Sequence, residues 1–412
     1  MLDYQEALKL VLDNTKVLGN EKVFLADSLF RILAEDILAD RDNPPFDNSG
    51  MDGFAVRYED IKGASKENPA ILKIKGEIKA GGSQVEVTKG TAVSIYTGAV
   101  IPKGADTVIQ KELVKVEEDR LIISQELPKG ANIRTKGDDY KKGQILIEKG
   151  TLIRPPEIGI MASVNKPTVY VKQKLKVGIL TTGDEILDIG EPITSPSQIR
   201  TSNTYSLYAQ IKQAGAEPII LGFAKDNPED LTEKLSYAKT CDVLLTTGGV
   251  SVGEYDLVKD FVSKVLGVKT IFWKIAQKPG KPVVFGTWGT ENQKLFFGIP
   301  GNPVASMVVF ETLVKPAIKK MMGFEKVHNP KIKAKLKTGY KRKKGDRLEF
   351  IRVKVEKTDN CFFAEVTGKQ GSNILTSMLK ANGLGIVPKG TTQIPKNAEI
   401  EVILFDTYFL NE

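Results

Sequence analysis

Between residues 175 and 323, short apolar, β-branched runs alternate with stretches of helical period, and no other feature restricts the fold as tightly. The runs are "LKVGIL", "EPIILGF", "DVLLTT", "TIFWK", "PVVFG" and "KLFFGI"; helical spacing covers 203 to 214, 229 to 238, 256 to 266 and 303 to 321. Strands apolar on nearly every residue need cover on both faces, and the helices between them supply it. The pattern predicts a doubly wound, mostly parallel sheet over residues 173–325.

Ligands of such sheets bind outside the carboxyl ends of the strands. Five unusual loops fall at that edge: "TTGDE" (181–185), "AKDNPED" (224–230), "TTGGVSVGEYD" (246–256), "KIAQKPGKP" (274–282) and "PGNP" (300–303). Glycine lets a backbone approach a ligand closely and turn its amides toward an anion. Neither the GxGxxG spacing nor the GK[ST] ending of a phosphate loop is present. In "PGNP", Asn302 is expected to cap a helix begun by Pro303, leaving N–H groups for an anion. Five such loops on one rim predict a site for a phosphorylated or oxyanionic ligand.

The flanks have other textures. Residues 1–43 read as two amphipathic helices, "YQEALKLVLDN" and "LADSLFRILAEDIL", the second with Leu25, Leu29, Ile32 and Leu33 on one face. "NPP" at 43–45 ends the pattern. Residues 44–149 are short β-branched runs between glycine turns, an inserted β domain. The proline-started "PPEIGIMASV" is expected to pack back on the first helices, so that 1–43 and 150–172 form one helical linker domain. Residues 326–412 return to β texture, a small barrel-like domain. The fold class is therefore α/β multidomain.

The chain holds one histidine, His328, which excludes a His-rich metal site and argues against a Ser-His-Asp arrangement. Chemistry falls to carboxylates, lysines, hydroxyls, amides and a hard cation held by oxygen. Cys241 and Cys361 lack CxxC spacing and are expected to be buried free thiols. The net charge of +8 is local: residues 326–347 hold eight Lys, two Arg and one Asp, leaving about −1 elsewhere. "KIKAKLK" alternates lysine with apolar residues, so a solvated edge strand explains the charge better than nucleic-acid binding. The start lacks the order of a signal peptide and no apolar run reaches membrane-spanning length, which predicts a cytoplasmic protein without a membrane partner.

"TTGDEIL", "IRTSNTYSLYAQIKQAGAEP", "TTGGVSVGEYD", "FWKIAQKPGKPVVFG" and "GIPGNPVAS" resemble the central domain of the MoeA-type molybdopterin molybdenumtransferases, the family that includes the E domain of gephyrin. "FDNSGMDGFAVR", "TGAVIPKGAD", "NIRTKGDDYKKG" and "QGSNILTSMLKANGL" extend the resemblance over nearly the whole chain in the expected order. The resemblance implies molybdenum cofactor biosynthesis: Mg²⁺-dependent insertion of molybdate into adenylylated molybdopterin with release of AMP. It also implies a homodimer, joined through the helical domain, in which the inserted β domain of one subunit completes the cleft of the other. Transient contact with the adenylyltransferase that makes the substrate would follow. A molybdopterin adenylyltransferase and a gephyrin-type scaffold are the alternatives. Molybdate and tungstate share charge and shape, so the sequence does not separate them.

Asp52, Asp184, Glu185 and Asp256 are the candidate cation ligands, and Asp52, Thr97, Glu185 and Asp256 the candidate catalytic residues. Substrate contacts are expected from Asp139, Thr182, Gly183, Asp226, Gly248, Gly249, Ser251, Gly253, Pro300, Gly301, Asn302 and Ser372. Lys274 and Lys278 suit a tetrahedral oxyanion, because an ammonium is a compact point charge. Simpler roles compete: Asp184 as a helix cap, Asp52 and Asp139 as turn residues, Lys281 as a neutralising charge, and the aromatics of "TIFW" as core. Asn373 and Lys111 stand where relatives often carry histidine and acidic residues.

Overall fold

The computed structural model describes residues 1–82, 85–225, 227–248, 257–289, 293–358 and 361–405. The chain divides into two compact units, one of residues 1–23, 30–34 and 170–412, the other of residues 24–29 and 35–169.

The first unit is built on the expected sheet. Six strands run in the order Glu217–Ala224, Lys176–Thr182, Val243–Thr247, Lys294–Ile299, Val284–Trp288, Lys269–Trp273. The first four are mutually parallel; Val284–Trp288 runs antiparallel to its neighbours on both sides. Residues alternate between two cores, as the period of a strand requires. Val177, Ile179, Leu245 and Phe297 face one; Leu180, Leu244 and Phe296 face the other. This double burial is why the runs read as continuously apolar.

The helix Tyr4–Asp13 places Tyr4, Ala7, Leu8 and Val11 on one face, and these join the first of those cores. A second helix over 25–38 does not form. Only a single tight turn, Leu25–Ser28, is helical; Phe30 takes φ 62°, and Ala34 donates its N–H to the Tyr170 carbonyl at 2.8 Å. Strand-like pairing has overridden the helical period.

After the sheet, the strands Lys331–Leu336, Leu348–Thr358, Cys361–Val366, Gly383–Val387 and Glu399–Leu404 close into a small barrel, because Leu348–Thr358 pairs with both Cys361–Val366 and Gly383–Val387. Lys331–Leu336 alternates exposed lysines with buried Ala334 and Leu336 as expected, but it is paired on both sides, so it is not an edge. Cys361 is exposed and Cys241 buried, both free, which corrects the expectation of two buried thiols.

In the second unit the main sheet has the order Thr107–Gln110, Gly53–Val56, Thr91–Ile95, Ala70–Ile78, Arg120–Ile123, Val114–Glu117. Apolar clusters cover its two faces. The helix Pro155–Ser163 packs against the turn Leu25–Ser28. Among the described residues no helix is long and apolar enough to cross a membrane.

Burial makes Lys319 a pH-sensitive element of the first unit. Desolvation, and secondarily the Lys315 charge, lower its pKa from the ordinary 10.5 to about 8. Between those values the unfolded chain binds more protons than the folded one, so stability is expected to rise with pH across that window. Urea unfolding from pH 7.5 to 10.5 should show the rise in the wild type and lose it in Lys319→Met.

Candidate active site

Parallel pairing brings the carboxyl ends of Lys176–Thr182, Val243–Thr247 and Lys294–Ile299 side by side. Gly248 takes φ +90°, and a Cβ there would lie 2.5 Å from the Thr182 carbonyl oxygen, so only glycine lets these two loops meet. A Cβ on Gly301 would sit 3.7 Å from the Gly248 Cα. Asn203 ties the group together, its Nδ2 donating to Thr247 Oγ1 at 2.7 Å and to the Gly301 carbonyl at 2.8 Å. Among the described residues, Thr182 Oγ1, Thr246 Oγ1 and Asn203 Oδ1 are buried here without a hydrogen-bond partner. Each such atom costs about 1–3 kcal/mol when unpaired, so this edge is suited to a polar ligand.

Glu185 lies over the same edge: a Cβ on Gly183 would meet its Oε2 at 2.7 Å. Asp184 and Glu185 are exposed. No helix follows them; the chain turns into Ile186–Leu187, which pairs with Ile199–Arg200. Helix capping is therefore not the role of Asp184.

The loop 300–303 joins this edge to a cavity of about 440 Å³, with Pro300 and Asn302 in its wall. Asn302 begins the helix Pro303–Val309 but makes no side-chain cap, contrary to expectation. One helix-start N–H, that of Val304, is taken by the Ser372 carbonyl at 3.1 Å. The cations at the cavity are Lys278, Lys281 and Arg347, and Ser372 adds a hydroxyl. Lys274 is not among the lining residues: its Nζ sits 3.7 Å from the centre of the Trp273 ring, where the aromatic face attracts it. The two lysines expected together are thus separated, and Lys281 and Arg347 stand with Lys278 instead. Arg347 was hidden in the basic tract "KRKKGDR", where its charge looked like one of many solvated ones. Of the TIFW aromatics, Phe272 is core as anticipated, its ring centre 5.4 Å from that of Phe285, and Trp273 is half-buried against the other core.

In the second unit, Asp52 and Thr97 form a pair. Asp52 Oδ1 accepts the Thr97 N–H at 2.9 Å and its hydroxyl at 2.8 Å, and Lys111 Nζ lies 3.9 Å from Oδ2. The Thr97 N–H first, then its hydroxyl, with the Lys111 charge adding, hold the Asp52 carboxyl below the usual carboxylate range. Gly53 beside it is obligatory, since a Cβ would meet the Ile109 carbonyl at 1.9 Å. Asp139 bonds elsewhere, its Oδ2 accepting from Asn43 Nδ2 at 2.8 Å and its N–H donating to the Asn43 carbonyl at 2.9 Å.

Asp226, Gly249, Ser251, Gly253 and Asp256 lie outside the described residues. Among the described residues no three His, Cys, Asp or Glu side chains gather as a metal cage. Mg²⁺ needs less, because it keeps waters and takes one or two carboxylates with phosphate oxygens. Glu185 and Asp184 beside the glycine edge fit that donor set.

The chain is thus a multidomain α/β protein: a sheet covered on both faces, with a cationic cavity beside the loop at its strand ends, carried with a small barrel and a separate β unit. Family models match in the same order: the MoeA N-terminal region (domain I and II) over residues 2–165, a probable molybdopterin binding domain over 178–320, and the MoeA C-terminal region (domain IV) over 333–405. The molybdopterin molybdenumtransferase of Bacillus subtilis (strain 168) is 37% identical over 405 residues, 97% of this chain and 93% of that one. That of Nostoc sp. is 36% identical over 376 residues, 90% of this chain and 86% of that one. The crystal structure of the molybdopterin biosynthesis moeA protein from Pyrococcus horikoshii OT3 superposes with a TM-score of 0.80 at 34% identity, covering 98% of this chain and 100% of that one. The chain belongs to the molybdopterin molybdenumtransferase family.

Proposed function

We propose that this protein is the transferase of molybdenum cofactor biosynthesis that inserts molybdate into adenylylated molybdopterin and releases AMP. The observation that carries the proposal is the cavity holding Lys278, Lys281 and Arg347, continuous through Pro300 and Asn302 with a glycine-lined strand edge. Ammonium and guanidinium groups gathered on one cavity wall suit a tetrahedral dianion. The strand edge, with Thr182, Gly183, Gly248 and Gly301, suits the pterin substrate's phosphates. Glu185 and Asp184 would hold Mg²⁺ together with those phosphates, and the ion would supply charge neutralisation for hydrolysis of the phosphoanhydride. Water adds to the adenylyl phosphorus and the molybdopterin phosphate leaves, giving AMP.

Asp52 and Thr97 complete the site from the second unit of a partner subunit in a homodimer. Contact with the adenylyltransferase passes the substrate on, and the reaction is cytoplasmic. Asp139, Asp226 and Asp256 remain proposed contacts of the same cleft, with Gly249, Ser251 and Gly253.

Oxyanion dependence tests the cavity. Lys281→Met and Arg347→Met are each expected to raise the molybdate concentration for half-maximal insertion about 10-fold or more, since a hydrogen bond to a charged group contributes about 1.5–3 kcal/mol. Lys274→Met is the contrast, its ammonium lying over Trp273. A shift in Lys274→Met alone would move the oxyanion away from this cavity.

A further inference from the structure

One buried carboxylate behind the cavity has no part in that account. Glu349 is 1% exposed, yet its two oxygens receive three donors. Oε1 accepts from Lys278 Nζ at 2.8 Å and from the Tyr340 hydroxyl at 3.0 Å; Oε2 accepts from Arg342 Nη1 at 3.1 Å. Backbone register brings the first of these about: the short strand Gln277–Lys278 joins the barrel in parallel, with Lys278 opposite Glu349. Side chains opposite one another in a sheet project from the same face.

The charges around Glu349 are unequal. Arg342 is as buried as Glu349, and its other donors end on the carbonyls of Thr391, Arg347 and Pro388. Its guanidinium therefore neutralises Glu349 from behind. The lysine, 41% exposed at the cavity, pairs with no second carboxylate among the described residues, so part of its charge stays available. A long flexible ammonium is held at one point without being fully neutralised, which is what preorganised anion binding requires.

We propose that Glu349 is a positioning residue for the oxyanion, fixing the Lys278 ammonium at the cavity wall while Arg342 balances the carboxylate. The proposal rests on the cavity being the oxyanion site. The competing outcome of the test is a purely structural role, a bolt between the strand Gln277–Lys278 and the barrel.

Glu349→Gln separates the two roles, because it preserves the shape and one acceptor oxygen while removing the anionic anchor. The full-length protein would be titrated with tungstate by equilibrium dialysis, and its molybdate dependence followed in the insertion assay. The expected result is a 10- to 50-fold weaker oxyanion dependence with the saturating rate within about twofold of wild type. In a Lys278→Met background, Glu349→Gln is expected to add nothing, since the glutamate acts through that lysine. A bolt would lower the saturating rate and thermal stability in both backgrounds and leave oxyanion affinity unmoved; that result overturns the proposal. If Glu349→Gln does not fold, Glu349→Asp shortens the anchor and should shift oxyanion affinity in the same direction, and wild-type affinity there also overturns it. Absence of tungstate binding to the wild type would instead count against the cavity as the oxyanion site.

Discussion

Truncation of Arg352 to alanine is expected to destabilise the first unit by about 3–5 kcal/mol and to loosen the loop that forms one wall of the cavity. Arg352 is fully buried. Its Nε donates to Ser377 Oγ at 3.1 Å, and its Nη2 to the carbonyls of Gly371 at 3.1 Å and Lys369 at 3.5 Å. Removing it leaves these acceptors unpaired at about 1–3 kcal/mol each, and partial relaxation sets the total at the figure given. Burial lowers the Arg352 pKa to about 10, so the side chain is still a cation at neutral pH. No carboxylate hydrogen-bonds it among the described residues; its donors serve the loop. Gln370 completes the clasp, its Oε1 accepting the Arg352 N–H at 2.7 Å. Because Gln370, Gly371 and Ser372 line the cavity, the same change should weaken oxyanion dependence. Arg352→Lys keeps the charge but not the fork, and should recover only part of both losses. Urea unfolding and hydrogen exchange over residues 368–377 would measure this; unchanged protection in Arg352→Ala would refute the clasp.

The second large effect concerns Asp52. Asp52→Asn is expected to cut AMP release by roughly 10²-fold, the scale of removing one group that meets a developing charge. Asp52 is 42% exposed and asparagine keeps the oxygen that accepts from Thr97, so no general change in fold is expected. Glu185→Gln should fall by a similar factor. If the two residues act in one site built from two subunits, equal mixing after subunit exchange makes half the dimers mixed, each with one intact site. Activity should then return to roughly a quarter of the wild-type rate. Mixtures that stay inactive, with both variants dimeric and folded, would place the residues in one subunit's site.

The central sheet was legible because double burial leaves a local trace: strands such as Val243–Thr247 are buried at every position. The segment 25–38 misled because its apolar spacing is helical, while its actual partner, Val171 opposite Leu33, is far along the chain. The small barrel after residue 326 was legible from its β texture, but the pairing that closes it was not, as Leu348–Thr358 meets Gly383–Val387 only in three dimensions. Within the site, the glycine loop announced Gly248 because close approach demands that residue. Arg347 and Glu349 carried no such mark; the register of Lys278 against Glu349 brings them to the cavity.

The most direct measurement is a single incubation of the purified protein with adenylylated molybdopterin, Mg²⁺ and molybdate, following AMP and pterin-bound molybdenum together. AMP release and molybdenum incorporation are expected to rise in step, at about one to one, and both to stop when Mg²⁺ is chelated. A folded protein that binds the pterin substrate but releases no AMP and incorporates no molybdenum, with tungstate equally inert, would contradict the account.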